Sequence, residues 1–172
     1  MRSTTESKYL LLDSCIVEYW LDKYLNPAVY EFLSKKSELG TVLAVSEISY
    51  MELIDGAYKE KIERVRKLLE KYIRFEVSQR VLSGAALLSS IYSLQNAKTN
   101  GASMEDKIIA MTSLVHRAQI VTANVADFPY PFFVQVESEN ILFRKKNKDQ
   151  YLSIAVLKPN VEIINSWYEK LP

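Results

Sequence analysis

Four acidic residues stand where a carboxylate is hard to explain as surface decoration: Asp13, Glu52, Asp106 and Asp127. Asp13 follows the apolar run Tyr9-Leu10-Leu11-Leu12. Glu52 lies within Ser46-Glu47-Ile48-Ser49-Tyr50-Met51-Glu52-Leu53, which has the spacing of a helix. Asp106 opens a helical stretch after Ser103, and Asp127 closes Ile120-Val121-Thr122-Ala123-Asn124-Val125-Ala126-Asp127-Phe128. Three of these acids sit at element ends beside segments that read as buried. A carboxylate there is costly unless it has a partner, and a divalent cation is one such partner. Each acid also has a plainer reading. Asp106 suits the reciprocal position of a capping box with Ser103. Glu52 reads also as a surface glutamate and Asp127 as a turn acid.

Composition bounds the alternatives. The 172 residues are enough for one domain with a substantial core. Apolar residues at 48% and charged residues at 25% fit a globular protein. A formal charge of +1 gives no global field that would draw nucleic acid. One cysteine, Cys15, excludes an intramolecular disulfide and a thiolate zinc cluster, and one histidine, His116, excludes a multi-histidine metal site. Cys15 reads as a small core residue, and its singleness fits a reducing, cytoplasmic location. No apolar run approaches the ~20 residues of a membrane span. Residues 1–8 lack a signal-peptide core and are expected to fray.

The elements that must hold the acids follow from periodicity. Strands are expected at Tyr9–Leu12, Thr41–Val45, Ile73–Val77 and Ile120–Thr122. Helices are expected from Cys15 to Leu21, from Asn26-Pro27 to about Lys36, after Ser46, from Lys59 to Lys71, from Val81 to about Asn96, and from Ser103 onward. The loop Lys98-Thr99-Asn100-Gly101 joins the last two. The Lys59–Lys71 helix interleaves its basic residues with Glu60, Glu63 and Glu70 and reads as a solvated face. Glu47 and Glu105 read as first-turn partners of their helix dipoles, and His116 as a residue near a helix C-terminus, where a cation is mildly favoured. Strand–helix alternation predicts a three-layer α/β/α sandwich on a mainly parallel sheet of four to five strands. Ligands bind such sheets outside the carboxyl ends of the strands, where Asp13 and Asp127 fall.

The tail reads separately. Ile141–Lys146 and Tyr151–Leu157 flank Asn147-Lys148-Asp149-Gln150, the pattern of a C-terminal β-hairpin whose turn lacks glycine. Val161 to Tyr168 adds a final short element. Arg144, Lys145, Lys146 and Lys148 are the densest basic cluster in the chain. A solvated hairpin tip is the default reading of them. An RNA-backbone contact through Arg144, Lys145 and Lys146, or a sheet edge that meets a partner, are the others.

With these residues in view, the chain resembles the PIN domain family, and within it the VapC-type toxins. The motifs are Leu12-Asp13-Ser14-Cys15, Val45-Ser46 through Met51-Glu52-Leu53, Asp106-Lys107-Ile108-Ile109-Ala110, and Thr122, Asn124, Asp127 and Phe128. Cys15 stands where the family usually has Asn, which would remove a polar support from the first acid. The resemblance divides the chain into a nuclease domain over 9–136 and an extension over 137–172 packed on it. It implies a metal-dependent endoribonuclease, with Asp13, Glu52, Asp106 and Asp127 catalytic. Asp13 and Asp106 would be the main ligands of Mg²⁺, with Mn²⁺ as a substitute, a choice that hard oxygen donors favour. Ser14, Thr122 and Asn124 would orient substrate or water. The implied partners are RNA, a cognate antitoxin and a second copy of the chain, with no membrane. Two other functions are compatible with the residues: an RNA-processing nuclease of the same fold without an antitoxin, and a non-catalytic binding or scaffolding domain.

Overall fold

The structure is a computed structural model, and it describes residues 7–94 and 102–170. Residues 1–6 of the expected frayed terminus, the Lys98–Gly101 loop and the end of the long helix near Asn96 lie outside the described residues.

Strand β1 (Tyr9–Leu12) is the spine. Its leucines serve both sides of the sheet: Leu11 enters one core, Leu10 and Leu12 the other, and all three are buried. Such strands carry continuous apolar runs instead of alternation. β1 pairs in parallel with β2 (Val42–Ser46) and with β4 (Gln119–Thr122), and β2 pairs in parallel with β3 (Ile73–Phe75). Helices α1 (Ser14–Leu21), α2 (Asn26–Glu38) and α4 (Lys59–Leu69), with Leu53 of α3 (Glu47–Ile54), pack on one face. Helices α5 (Gln79–Leu94), α6 (Met104–His116) and α7 (Val161–Tyr168) pack on the other. At Gly84, α5 comes so close to α6 that an added Cβ would run into the Met111 side chain. The Tyr168 hydroxyl seals that junction by donating to the Gly84 carbonyl at 3.0 Å.

The three layers match expectation, but the sheet is mixed, not mainly parallel, and has six strands in the order β3-β2-β1-β4-β6-β5. The tail is the reason. β5 (Phe133–Lys145) and β6 (Lys148–Pro159) form a long hairpin, and β6 docks antiparallel on β4. β5 thus begins before residue 137, and the hairpin is part of the main sheet. Its turn is Lys146-Asn147 alone, both at positive φ (52° and 61°), the conformation of a tight two-residue hairpin turn. Asn tolerates that region without glycine, which is why no glycine signal marks the turn. β3 stops at Phe75, short of the expected Val77. The Glu47 carboxylate takes the Val77 N–H at 3.0 Å, so that donor leaves the ladder. Glu47 is therefore a tie between α3 and the exit of β3, not merely a dipole partner.

No helix among the described residues is long and apolar enough to cross a membrane.

Candidate active site

The acids meet at the carboxyl edge of the parallel strands. Asp13 is the first residue after β1 and stands at the N-cap of α1, yet its side chain makes no capping bond. The carboxylate is turned instead toward the end of β4, where the Thr122 hydroxyl donates to Oδ2 at 2.6 Å. The Cys15 thiol donates to the same oxygen at 3.1 Å. Asp13 is only 4% exposed, so these donors replace water that the carboxylate has lost. Burial pushes its carboxyl above the ordinary value; the two side-chain donors pull it down, and the charge of Asp106 pushes it up again. Cys15 thus supplies a donor to Asp13 where the sequence suggested a lost support. Burial and the Asp13 charge push its thiol far up, so it is a proton donor and not a nucleophile.

Thr122 has a second tie. Its hydroxyl oxygen accepts the Asn124 N–H at 2.8 Å, which bends the chain after β4 into the 3-10 turn Val125–Asp127. That turn carries Asp127 back toward the cleft. Burial raises the Asp127 carboxyl, and the charges of Asp106 and Asp13 raise it further. Asn124 is exposed and is fixed through its backbone.

Glu52 reaches the cleft from α3. The Ser14 hydroxyl donates to its Oε2, joining the first turn of α1 to α3. Partial burial raises the Glu52 carboxyl, the Ser14 bond lowers it, and Asp13, Asp106 and Glu105 raise it. Asp106 arrives on the first turn of α6 in a complete capping box. Ser103 Oγ accepts the Asp106 N–H at 3.1 Å, and Asp106 Oδ2 accepts the Ser103 N–H at 2.6 Å. Capping and cleft placement are therefore both true of Asp106, because one carboxylate oxygen serves the box and the other is left over. Two helix N-termini, of α1 and α6, present their positive ends to Asp13 and Asp106.

Four acids from four elements thus share one electrostatic field, although their side chains are not drawn together. Among the described residues no group of three His, Cys, Asp or Glu side chains stands ready to hold a metal ion. The donor set still fits one: it is all carboxylate oxygen, and Mg²⁺ needs one or two carboxylates beside its waters. Of the four acids, Glu52 borders a cavity of about 440 Å³, walled also by Ile48, Met51, Asp55 and Glu105. His116 lies elsewhere, its ring stacked on Phe75 at 3.9 Å between centroids, and burial lowers its pKa. That stacked position, not a mildly favoured cation at the helix end, is what the fold gives it. Lys145 turns inward over the Tyr24 ring at 5.5 Å, while Arg144 and Lys146 are exposed on the hairpin.

No protein-family model matches the chain, and no curated protein is similar to it in sequence. Solved structures match it in fold. VapBC2 from Rickettsia felis bound to a DNA fragment from its promoter is 18% identical, with a TM-score of 0.59, over 68% of this chain and 89% of that one. A toxin-antitoxin complex from Klebsiella pneumoniae is 25% identical, with a TM-score of 0.53, over 69% and 89%. FitAcB from Neisseria gonorrhoeae is 19% identical, with a TM-score of 0.53, over 69% and 90%.

The likeness is one of fold.

It corrects the motif-based reading. The similar structures are complexes of two kinds of component, and the matched chain is not marked as the toxin or the antitoxin. With no family model behind it, the assignment to VapC-type toxins of the PIN family does not stand.

Proposed function

We propose that the cleft hydrolyses RNA phosphodiester bonds with a divalent cation, and that the chain is one component of a toxin–antitoxin pair. The carrying observation is the placement of Asp13, Glu52, Asp106 and Asp127, from the end of β1, from α3 and α6 and from the turn after β4, on one side of the sheet, so that the raised carboxyls of Asp13, Glu52 and Asp127 each feel the charge of Asp106. Mutually repelling carboxylates at the carboxyl edge of a parallel sheet are a place where a cation is favourable. The second support is the likeness to toxin–antitoxin complexes.

Asp13 and Asp106 would hold Mg²⁺ or Mn²⁺. A cation bound there lowers the pKa of a coordinated water and offsets charge on the phosphate. The protein's own contribution is placement. Thr122 and Cys15 fix Asp13 by its Oδ2. The capping box fixes Asp106 by its Oδ2. Ser14 holds Glu52 across the cleft, where its raised carboxyl suits the handling of a proton. Asp127 would close the acidic rim, and the exposed Asn124 beside it would meet substrate. The second component of the pair would act by covering this rim.

Calorimetric titration with Mn²⁺ at pH 7 tests the cation. Binding that is lost in Asp13→Asn and Asp106→Asn is expected; a folded wild type that binds neither Mn²⁺ nor Mg²⁺ would refute the proposal. Growth arrest on expression, relieved by a co-expressed neighbouring reading frame, tests the pairing.

A further inference from the structure

The hairpin outruns the sheet. Thr122, the last residue of β4, pairs with Ala155 of β6. Residues 148–154 of β6 and 139–145 of β5 therefore continue past the carboxyl edge, an arm of about 20 Å at ~3.3 Å per residue. It rises beside Thr122 and Asp13, on the side of the molecule where the acids are.

Strand alternation gives the arm two unlike faces. Ile141 and Ile154 are buried, and Phe143 and Leu152 half-buried, against the core that holds α1 and α2. The opposite face carries Asn140, Leu142 and Arg144 on β5, with Ser153, Tyr151 and Asp149 across from them. On β6 this face continues Ala155 and Leu157, which pack in the α5–α6 core. It is thus the face on the α6 side, the side from which Asp106 enters the cleft. It is open: Tyr151 is 72% exposed, Leu142 54% and Arg144 73%. The Asn140 and Ser153 side chains hydrogen-bond to each other at 2.6 Å and flatten its base.

Its charge is unlike the rest of the chain. Residues 139–154 hold four cations (Arg144, Lys145, Lys146 and Lys148) against two carboxylates, Asp149 and, on the other face at the base, Glu139, in a protein of net charge +1. Arg144 reaches Asp149 at 3.6 Å, but both are well exposed, so the pair is weak and Arg144 can exchange it for another anion. An exposed aromatic ring among cations at a strand surface suits a nucleic-acid strand, with bases stacked on the ring and phosphates met by the cations.

The geometry points to the arm as the platform that binds single-stranded RNA beside the acidic cleft: Tyr151 and Leu142 receive bases, and Arg144 and Lys146 meet phosphates. The choice of RNA rests on the hydrolytic reading above. The arm answers a need of that reading, because a rim of four carboxylates repels a polyanion. The attraction must come from elsewhere on the same side.

The test is fluorescence anisotropy of a labelled mixed-sequence single-stranded oligoribonucleotide in EDTA, where cleavage cannot occur. Arg144→Ala with Lys146→Ala should weaken binding roughly tenfold and reduce the salt slope by about 1.4, two phosphate contacts at ~0.7 each. Tyr151→Ala should weaken it by about fivefold to about a hundredfold, the range for one stacked base. Arg117→Ala with Lys158→Ala, at a cavity against His116 and Gln119, serves as the control and should leave affinity within about twofold. All five side chains are exposed, so melting curves should not move. Unchanged affinity and slope in both arm variants would overturn the inference and leave the arm as a protein-docking surface. Equal losses in the control, or no RNA binding by wild type, would overturn it too. RNA binding through the arm without Mg²⁺-dependent cleavage would refute hydrolysis and leave the platform standing.

Discussion

The Thr122 hydroxyl donates to Asp13 Oδ2 across 2.6 Å, with Thr122 fully buried and Asp13 nearly so, and this one bond ties the end of β4 to the end of β1. It does two jobs. It offsets part of the rise that burial imposes on the Asp13 carboxyl, and it fixes the direction in which that carboxylate points. Thr122→Val keeps the shape and removes the donor. Stability at pH 7 should fall by about 1.5–3 kcal/mol, the range for a hydrogen bond to a charged group, with the Cys15 thiol still donating to that oxygen. Mn²⁺ affinity should fall with it. Denaturant unfolding and calorimetry on the same preparation would check both.

Cys15 acts on the same oxygen and should be chemically quiet. Its thiol is held far above its ordinary range by burial and the Asp13 charge. Native protein at pH 8 should react with a thiol reagent at least roughly 100-fold more slowly than protein unfolded in guanidinium. Rapid reaction of the folded chain would mean that Cys15 is not packed against Asp13.

Asp106 and Ser103 separate capping from chemistry. Ser103→Ala removes the acceptor for the Asp106 N–H and should cost about 1 kcal/mol. Asp106→Asn keeps an oxygen to accept the Ser103 N–H, so melting should hardly move. Activity should nevertheless fall by more than the roughly 100-fold that a change outside the ligands brings. A variant whose activity tracks its melting temperature would show Asp106 to be a cap only.

The cleft carboxyls set the sign of a pH effect. Asp13, Glu52 and Asp127 are all raised in the folded chain, so the folded state binds these protons more tightly than the unfolded state. Their stabilising contribution is fully present below the unfolded values, about pH 4, and is lost as pH rises through the folded ones. Metal-free Asp13→Asn should therefore gain stability relative to wild type between pH 4 and pH 7. Millimolar Mg²⁺ should stabilise wild type at pH 7 and do little at pH 4. Urea unfolding at the two pH values, with and without Mg²⁺, would check this. A relative loss by the variant as pH rises would contradict it.

Much of the frame was legible because β1, β2 and β4 are built on short apolar runs, and because Ser46 and Ser103 cap the helices they precede. The positions of the four acids followed from that frame. Strand pairing was not legible. Nothing local to Tyr151–Leu157 says that it will join β4, so the mixed sheet and its sixth strand appeared only in the fold. The early start of β5 had a signal, since Val134 and Val136 alternate with Gln135 and Glu137, but the exposed residues after them resemble a loop. The roles of Cys15 and Glu47 were hidden for another reason. Glu47 depends on a partner 30 residues along the chain, the Val77 N–H, and the Cys15 thiol meets its near neighbour Asp13 at the oxygen that Thr122, 109 residues from Asp13, also holds.

The most direct test of the central claim is cleavage of a mixed pool of structured and single-stranded RNAs by wild type and Asp106→Asn, with Mg²⁺, Mn²⁺ or EDTA. The account predicts cleavage by wild type with either cation, none in EDTA, and none by the folded variant. Cleavage that persists in EDTA or in Asp106→Asn would contradict it.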